Sequence, residues 1–287
     1  MPRAPRRFVL TADERDVLRK QTWAHKYTHG HALVLSGGAG RSGAARLAAR
    51  AALRVGAGLV TLAVPPDAQA EVACQITAIM MRKVDTAAAL DAPLADHRLN
   101  AICAGPGLGL GGHEAAKLLT LLEAARPTVL DADALTLLAG DPALMGALHP
   151  ACVLTPHDGE FARLFPDLAQ ELSQGIPART QAARQAAARA GCTLVLKGPA
   201  TLVVGPDGTA TLHPPAEDGA QAWLATAGSG DVLAGLICGL LARGCDPRQA
   251  ASIGVWLHRQ AAHRFGPGLI AEDLPEMLPA VFRDLGL

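Results

Sequence analysis

The chain has 287 residues, half of them apolar but only 3% aromatic, with alanine, leucine, valine and glycine making up the excess. Lys plus Arg number 26, as do Asp plus Glu, so the formal net charge is zero and no basic surplus points to nucleic acid or an anionic membrane. Six cysteines without C-x-x-C spacing, several inside apolar runs, argue against a disulfide framework or zinc site and suit a reduced, cytoplasmic setting. The apolar stretches at 44–65 and 223–242 are broken by Arg46, Arg50 and Arg54 and by Asp231, so neither reads as a membrane span. Length and composition fit one doubly wound α/β domain over residues 1–287, its first eleven residues a solvated tail carrying Arg3, Arg6 and Arg7.

In chain order, short apolar runs alternate with helical patterns, the signature of repeated βα units around a parallel sheet. Ahead of a first strand at 31–36, His25, His29 and His31 resemble a metal cluster by number, but their spacing straddles a loop-to-strand change and does not make them converge. After that strand, Ser36-Gly-Gly-Ala-Gly40-Arg-Ser-Gly43-Ala44 opens a helix at 43–55. Its glycines either let a large ligand approach the backbone or only allow tight strand-to-helix packing, and it lacks the lysine of a P-loop. A strand at 59–64 and a helix at 68–80 follow. The strand at 100–104 runs into Gly105-Pro-Gly107-Leu-Gly109, a phosphate- or ring-contacting loop or simply a turn, and then a helix at 113–125.

The next strand, 128–130, leads to Asp131-Ala-Asp133 and a helix at 133–138. Asp133 is suited to capping that helix, and Asp131 to orienting a metal-bound water. Strand 152–155 ends in Thr155-Pro-His157-Asp158-Gly-Glu160. There His157 can donate to a substrate amide or hydroxyl and Glu160 can hold water on magnesium, although acidic residues at any helix start give the same pattern. A helix at 178–190 and a strand at 193–196 precede Lys197-Gly198-Pro199-Ala200-Thr201. The amides and Thr201 hydroxyl of this segment, with Lys197 as a point charge, can contact a nucleotide phosphate; a plain turn is the alternative. Segments 200–204 and 209–213 form an antiparallel hairpin turning at Pro206-Asp207-Gly208. Segment 214–221 is expected to be mobile, and the last third is helical at 230–243, 248–265 and from Ala271.

The most informative stretch is Thr226-Ala-Gly228-Ser229-Gly230-Asp231-Val-Leu-Ala-Gly235, a glycine loop running into an apolar helix with a carboxylate in its first turn. Gly228 and Gly230 let backbone amides converge, and the helix start adds unpaired N–H groups and partial positive charge, so an anion can sit there. An acidic residue beside such an anion hole suits removal of a proton from a hydroxyl that attacks a phosphoryl group. The simpler alternative is that Asp231 only favours the helix dipole.

Taken together and in order, these motifs resemble the ribokinase-like superfamily, and within it the ADP/ATP-dependent NAD(P)H-hydrate dehydratases. The resemblance rests on His25-Lys26…Gly30, Gly43-Ala44…Gly56-Ala-Gly-Leu-Val, Gly105-Pro-Gly-Leu-Gly109, Asp131-Ala-Asp133-Ala-Leu, Thr155-Pro-His157-x-Gly-Glu160-x-x-Arg163-Leu, Lys197-Gly-x-x-Thr201 and Gly228-x-Gly-Asp231-Val-Leu-x-Gly235. It covers nearly the whole chain from about Ala12, and the proline-histidine-glycine-glutamate motif separates this family from sugar and vitamin kinases better than the glycine–aspartate loop does.

The resemblance implies a ribokinase-like α/β fold: a mostly parallel central sheet, helices on both faces and a short antiparallel hairpin. It implies repair of NADHX and NADPHX, the hydrated reduced coenzymes, by phosphorylation of the ring hydroxyl and elimination of phosphate. By carry-over, Asp231 is the base and also touches the hydrate, and the amides of Gly228, Ser229 and Gly230 hold the moving phosphoryl group. Ala44, Gly107 and His157 line the hydrate site; Lys197, Gly198, Pro199, Ala200, Thr201 and Gly230 bind the adenine nucleotide; and Glu160 supports Mg2+ through water. A bacterial-type member is expected to use ADP rather than ATP and to form a homo-oligomer, as relatives are often tetramers. An epimerase domain often precedes this one, and the present length leaves no room for it, so the epimerase is expected on a separate chain or the sequence to be half of a fusion.

Three positions depart from the family pattern. Asp158 stands where proline is common, Tyr27 replaces a frequent glycine, and Ala222-Trp223-Leu-Ala-Thr226 replaces an asparagine-proline-glycine lead-in. The nearest rival reading is a thiazole- or pyrimidine-alcohol kinase of the same superfamily, which would release a phosphorylated product. A nucleotide-binding regulator without catalysis is a second rival, against which the retained Asp231 argues.

Overall fold

A computed structural model describes residues 4–215 and 219–287. Among these, ten strands form one sheet: β1 (Arg6–Arg7), β2 (His31–Leu35), β3 (Leu59–Val64), β4 (Met80–Lys83), β5 (Leu99–Ala104), β6 (Thr128–Leu130), β7 (Cys152–Leu154), β8 (Thr193–Leu196), β9 (Thr201–Val204) and β10 (Ala210–His213). Their spatial order is β1-β10-β9-β8-β7-β6-β5-β2-β3-β4. From β4 across to β8 every pairing is parallel, while β8–β9 and β9–β10 are antiparallel. The expected mostly parallel sheet with one hairpin is therefore present.

The parallel strands are buried on both faces, which explains their near-continuous apolar runs. In β2, Ala32 and Val34 point into a core shared with helices Gly43–Arg54, Ser229–Ala242, Pro247–Phe265 and Asp273–Asp284. The alternate residues Leu33 and Leu35 point the other way, toward helices Gly112–Glu123, Asp133–Gly140 and Ile176–Ala190. On the first face two helices touch through glycine: a Cβ on Gly235 would stand 2.1 Å from the Ala48 carbonyl oxygen, and one on Gly239 2.4 Å from Val55 Cγ1. Helices Gly43–Arg54 and Ser229–Ala242 thus approach more closely than side chains would allow.

Strand β2 lies between β3 and β5, so the chain order reverses there. Loops leaving the carboxyl ends of β2 and β5 diverge at such a switch point and open the crevice where doubly wound sheets bind ligands. No helix among the described residues is long and apolar enough to cross a membrane.

Two expectations about local structure fail. The helix expected at 68–80 extends only over Gln69–Ala73, and Met80 begins the edge strand β4. Val72 alone is buried in that short helix, and Ile76 and Thr77, both β-branched, follow its end and favour extended backbone. The expected tail at 1–11 is structured from Arg6 onward: β1 pairs with the outer hairpin strand β10, Phe8 stacks on His213 with ring centroids 4.7 Å apart, and Thr11 caps helix Ala12–Leu18. Of segment 214–221, expected to be mobile, residues 216–218 lie outside the described residues.

Candidate active site

The loops following β2, β5, β6, β7 and β8 and the start of helix Ser229–Ala242 meet at the carboxyl end of the sheet. Gly228 caps that helix with φ 87°, a conformation natural to glycine. A Cβ there would lie 2.6 Å from Leu47 Cδ1 and 2.9 Å from Ala271 Cβ, so backbone conformation and packing both demand glycine. Gly230 faces the polar centre, where a Cβ would stand 3.5 Å from Lys197 Nζ and 3.6 Å from Asp131 Oδ2. Behind the turn, buried His258 contacts the Ser229 carbonyl at 2.9 Å. Burial lowers His258 to about 4, so its neutral ring donates from Nε2 to that oxygen and pins the helix start.

Lys197 is the hub. Its Nζ donates to Asp131 Oδ1 at 2.7 Å and lies 3.7 Å from Glu160 Oε2. Burial works against the ammonium, but Asp131 and Glu160 outweigh it and hold Lys197 above its ordinary value. Asp231 sits in the first helical turn within this charged cluster. Burial, then repulsion from Asp131, raises its carboxyl to about 6; Lys197 opposes the rise, and Asp133 and Glu160 add to it. A base with that proton affinity is ionised at neutral pH yet still able to accept a proton.

His157 caps helix Asp158–Leu164. Its Nδ1 accepts from the amides of Gly159 and Glu160, at 3.0 and 3.3 Å. These contacts assign the ring proton to Nε2, which leaves a donor on a half-exposed ring. Glu160 completes the capping box, its Oε2 accepting from the His157 amide at 2.8 Å. The helix-start and functional readings of this motif are therefore compatible: Glu160 shapes the turn and also faces Lys197.

Ala44 and Gly107 come together at the switch point. A Cβ on Gly107, whose φ is 64°, would stand 3.5 Å from Ala44 Cβ and 2.5 Å from the Arg41 carbonyl oxygen. The glycine loop after β2 is less open than its sequence suggests. The Ala39 amide donates to Asp67 and the Gly40 amide to Glu71, at 3.1 and 2.8 Å, while Ser42 Oγ also donates to Glu71. Those amides are satisfied from within the chain.

One residue role needs correction. Asp133 does not cap its helix; its Oδ2 accepts from the Gly109 amide at 2.8 Å and ties the β6 loop to the β5 loop. The tie is close because Ala132 adopts φ 47°, a strained value for alanine that turns the chain between two acidic residues. Thr201 Oγ1 donates to the Gly198 carbonyl at 2.9 Å, so this hydroxyl closes the 197–201 loop. The three histidines do not converge: His25 caps a turn with Thr28, His31 Nε2 meets Thr61 Oγ1 at 2.8 Å, and no metal-holding cluster of three occurs among the described residues.

Arg179 is the residue that sequence reading overlooked. It is 8% exposed, binds both oxygens of Asp158 at 2.6 and 3.0 Å, and donates to the Lys197 carbonyl at 2.8 Å. Asp158, one of the positions that depart from the family pattern, thus has a dedicated partner beneath the 197–201 loop. A signal existed: Arg179 precedes Ala182, Ala183 and Ala186 by three, four and seven positions, placing a cation on the buried stripe of an alanine helix.

The NAD(P)H-hydrate dehydratase family profile matches residues 32–278. The bifunctional NAD(P)H-hydrate repair enzyme Nnr of Moorella thermoacetica is 38% identical over 98% of this chain and 54% of its own. The chain belongs to the NAD(P)H-hydrate dehydratase family. It spans about half the length of the curated relatives it matches. Among solved structures of this family, the ADP/ATP-dependent NAD(P)H-hydrate dehydratase of Bacillus subtilis, co-crystallised with ATP/Mg2+, superposes with TM-score 0.78, 29% identity and coverage of 98% of this chain and 99% of that one. The hydroxyethylthiazole kinase of Pyrococcus horikoshii superposes at TM-score 0.63 with 13% identity, covering 96% of both chains, and so shares the ribokinase-like fold.

Proposed function

We propose that the protein restores NADHX and NADPHX to NADH and NADPH by nucleotide-dependent dehydration, with ADP preferred to ATP. The observation that carries the reading is Asp231, raised to about 6 in the first turn of a glycine-capped helix. Asp231 takes the proton from the hydroxyl on ring carbon six as that oxygen attacks the terminal phosphoryl group of the nucleotide. The amides at Gly228, Ser229 and Gly230 offset the charge on the phosphoryl oxygens. The bond from nucleotide to phosphorus breaks, releasing AMP from ADP. The ring-nitrogen lone pair then expels phosphate and carbon five loses a proton, giving the reduced coenzyme.

Ala44, Gly107 and the Nε2–H of His157 border the hydrate, and Lys197 through Thr201 with Gly230 border the nucleotide. Glu160 fits a hydrated magnesium ion: it is 6% exposed, and among the described residues its Oε1 has no ion-pair partner but His157 Nε2, at 3.5 Å, leaving acceptor capacity for a metal-bound water. Magnesium there would neutralise phosphate charge. A tetrameric assembly, a cytoplasmic setting and cooperation with an NAD(P)HX epimerase, separate or fused, belong to the same reading. The relative from Moorella thermoacetica is described as bifunctional.

The test mixes purified protein with NADPHX, Mg2+ and either ADP or ATP, and follows the near-ultraviolet absorbance of reduced nicotinamide. Recovery that requires nucleotide, faster with ADP, is expected. Recovery equal with ATP refutes the donor preference. No recovery, with a phosphorylated thiazole or pyrimidine alcohol formed instead, refutes the dehydratase.

A further inference from the structure

A cavity of about 500 Å³ opens toward the β4 edge of the sheet, lined by residues of β2, β3, β4 and β5 and by the segment between β4 and β5. Its mouth brings together Lys26, Arg82, Lys83 and Arg98 against one carboxylate, Asp96. Asp96 is already held by Arg98 at 2.9 Å, and Lys83 stands 3.8 Å from Asp85. Among the described residues, Lys26 and Arg82 have no carboxylate within ion-pair distance. The positive field reaches inward. Burial first, then Arg98 and Arg82, hold the His31 imidazole below its ordinary value, against the pull of Asp96.

The floor differs from the rim. Leu33, Leu59 and Leu99 rise from the sheet, and Ala89, Ala92 and Pro93 close over them. The ring of Tyr27 stands at the mouth with Arg98 Cζ 4.6 Å and Lys26 Nζ 5.3 Å from its centroid. A largely apolar floor, with the paired His31 and Thr61 at its side, beneath the cations Lys26 and Arg82 suits a ligand with an apolar or ring portion and a phosphate, and the volume lies in the range of small-molecule sites. A free inorganic anion would leave the floor empty.

We propose that this cavity is a second ligand site, separate from the catalytic crevice, that binds a nucleoside phosphate with its base over the apolar floor and its phosphate between Lys26 and Arg82. Strand β2 begins at His31 in the cavity wall and delivers the glycine loop of the catalytic crevice at its other end.

Tyr27 is the only tyrosine in the sequence, so biosynthetic 3-fluorotyrosine gives one fluorine resonance at the mouth of the cavity. The full chain is titrated with AMP and, separately, with inorganic pyrophosphate. A saturable shift with AMP, much weaker with pyrophosphate, is expected. It should require about tenfold more AMP in a Lys26→Gln/Arg82→Gln variant that melts like the parent, and should persist unchanged in a Gly230→Ala variant that melts like the parent, where a methyl group intrudes on the catalytic nucleotide side. An immobile resonance, or an equal response to pyrophosphate, overturns the proposal. So does a shift that survives the double substitution, or one that disappears in folded Gly230→Ala.

Discussion

Replacing Asp231 with asparagine should stabilise the protein while disabling it. The carboxyl stands at about 6 in the fold against an ordinary 3.8, a gap of about 2 units, or about 3 kcal/mol against keeping it ionised when folded. Because the folded value is the higher one, the native state binds this proton more tightly than the unfolded chain does. The destabilisation is absent well below pH 4, where both states are protonated, grows as pH rises from there, and is complete above the folded value. Asparagine avoids it at every pH. Asp231→Asn should therefore exceed the parent by about 3 kcal/mol near pH 8 but by only about 1 kcal/mol near pH 4.5. At pH 8 that corresponds to a rise of roughly 6–10 °C in Tm. Urea unfolding of both proteins at the two pH values measures the difference. Turnover should fall by about a thousandfold or more. Equal stability at pH 8, or the same gain at both pH values, would refute the desolvated, like-charged setting from which the base assignment is argued.

Other perturbations follow from the same geometry. In the parent, kcat/KM should drop about tenfold per unit below pH 6 as Asp231 is protonated, and a profile flat to pH 5 would exclude it as the base. Lys197→Met strands Asp131, which is 2% exposed, at a cost of about 3–5 kcal/mol. Since Lys197 opposes the rise at Asp231, the acid limb of any residual activity should also move to higher pH. Arg179→Met frees the Lys197 carbonyl, so the nucleotide KM should rise about tenfold while the hydrate KM changes little, as steady-state kinetics with each substrate varied would show. Gly235→Ala drives a methyl group against the Ala48 carbonyl and should cost about 2–3 kcal/mol in thermal or urea unfolding.

The central strands were legible because a sheet covered on both faces leaves continuous apolar runs such as Leu59–Val64. The edges were not. Arg6–Arg7 carries no strand signal of its own and is held by the partner β10, and Met80–Lys83 is defined by its register on β3. The candidate site was legible to the extent that its residues follow strand ends. His157, Lys197 and Asp231 each do, or begin the glycine-capped helix. Pairings between them were hidden, since Asp131 and Lys197 meet across 66 positions and the Asp158–Arg179 contact across 21. Asp133 shows the reverse difficulty: its place at a helix start suggested a cap, and only the fold reveals the Gly109 amide that claims it.

The glycine contacts between helices Gly43–Arg54 and Ser229–Ala242 also govern which parts of the crevice can adjust. One helix begins beside Ala44, the other at the glycine turn before Asp231, and Gly235 and Gly239 lock the two shafts at a fixed pitch. In the proposed reaction, hydroxyl and base would thereby be carried on one stiff frame. The 197–201 loop belongs to another part of the molecule, suspended between β8 and β9 and braced from helix Ile176–Ala190. On the proposed reading, spent nucleotide would be exchanged for fresh at the hairpin without disturbing the seat of the damaged coenzyme, much as a tool holder is reloaded while the workpiece stays clamped.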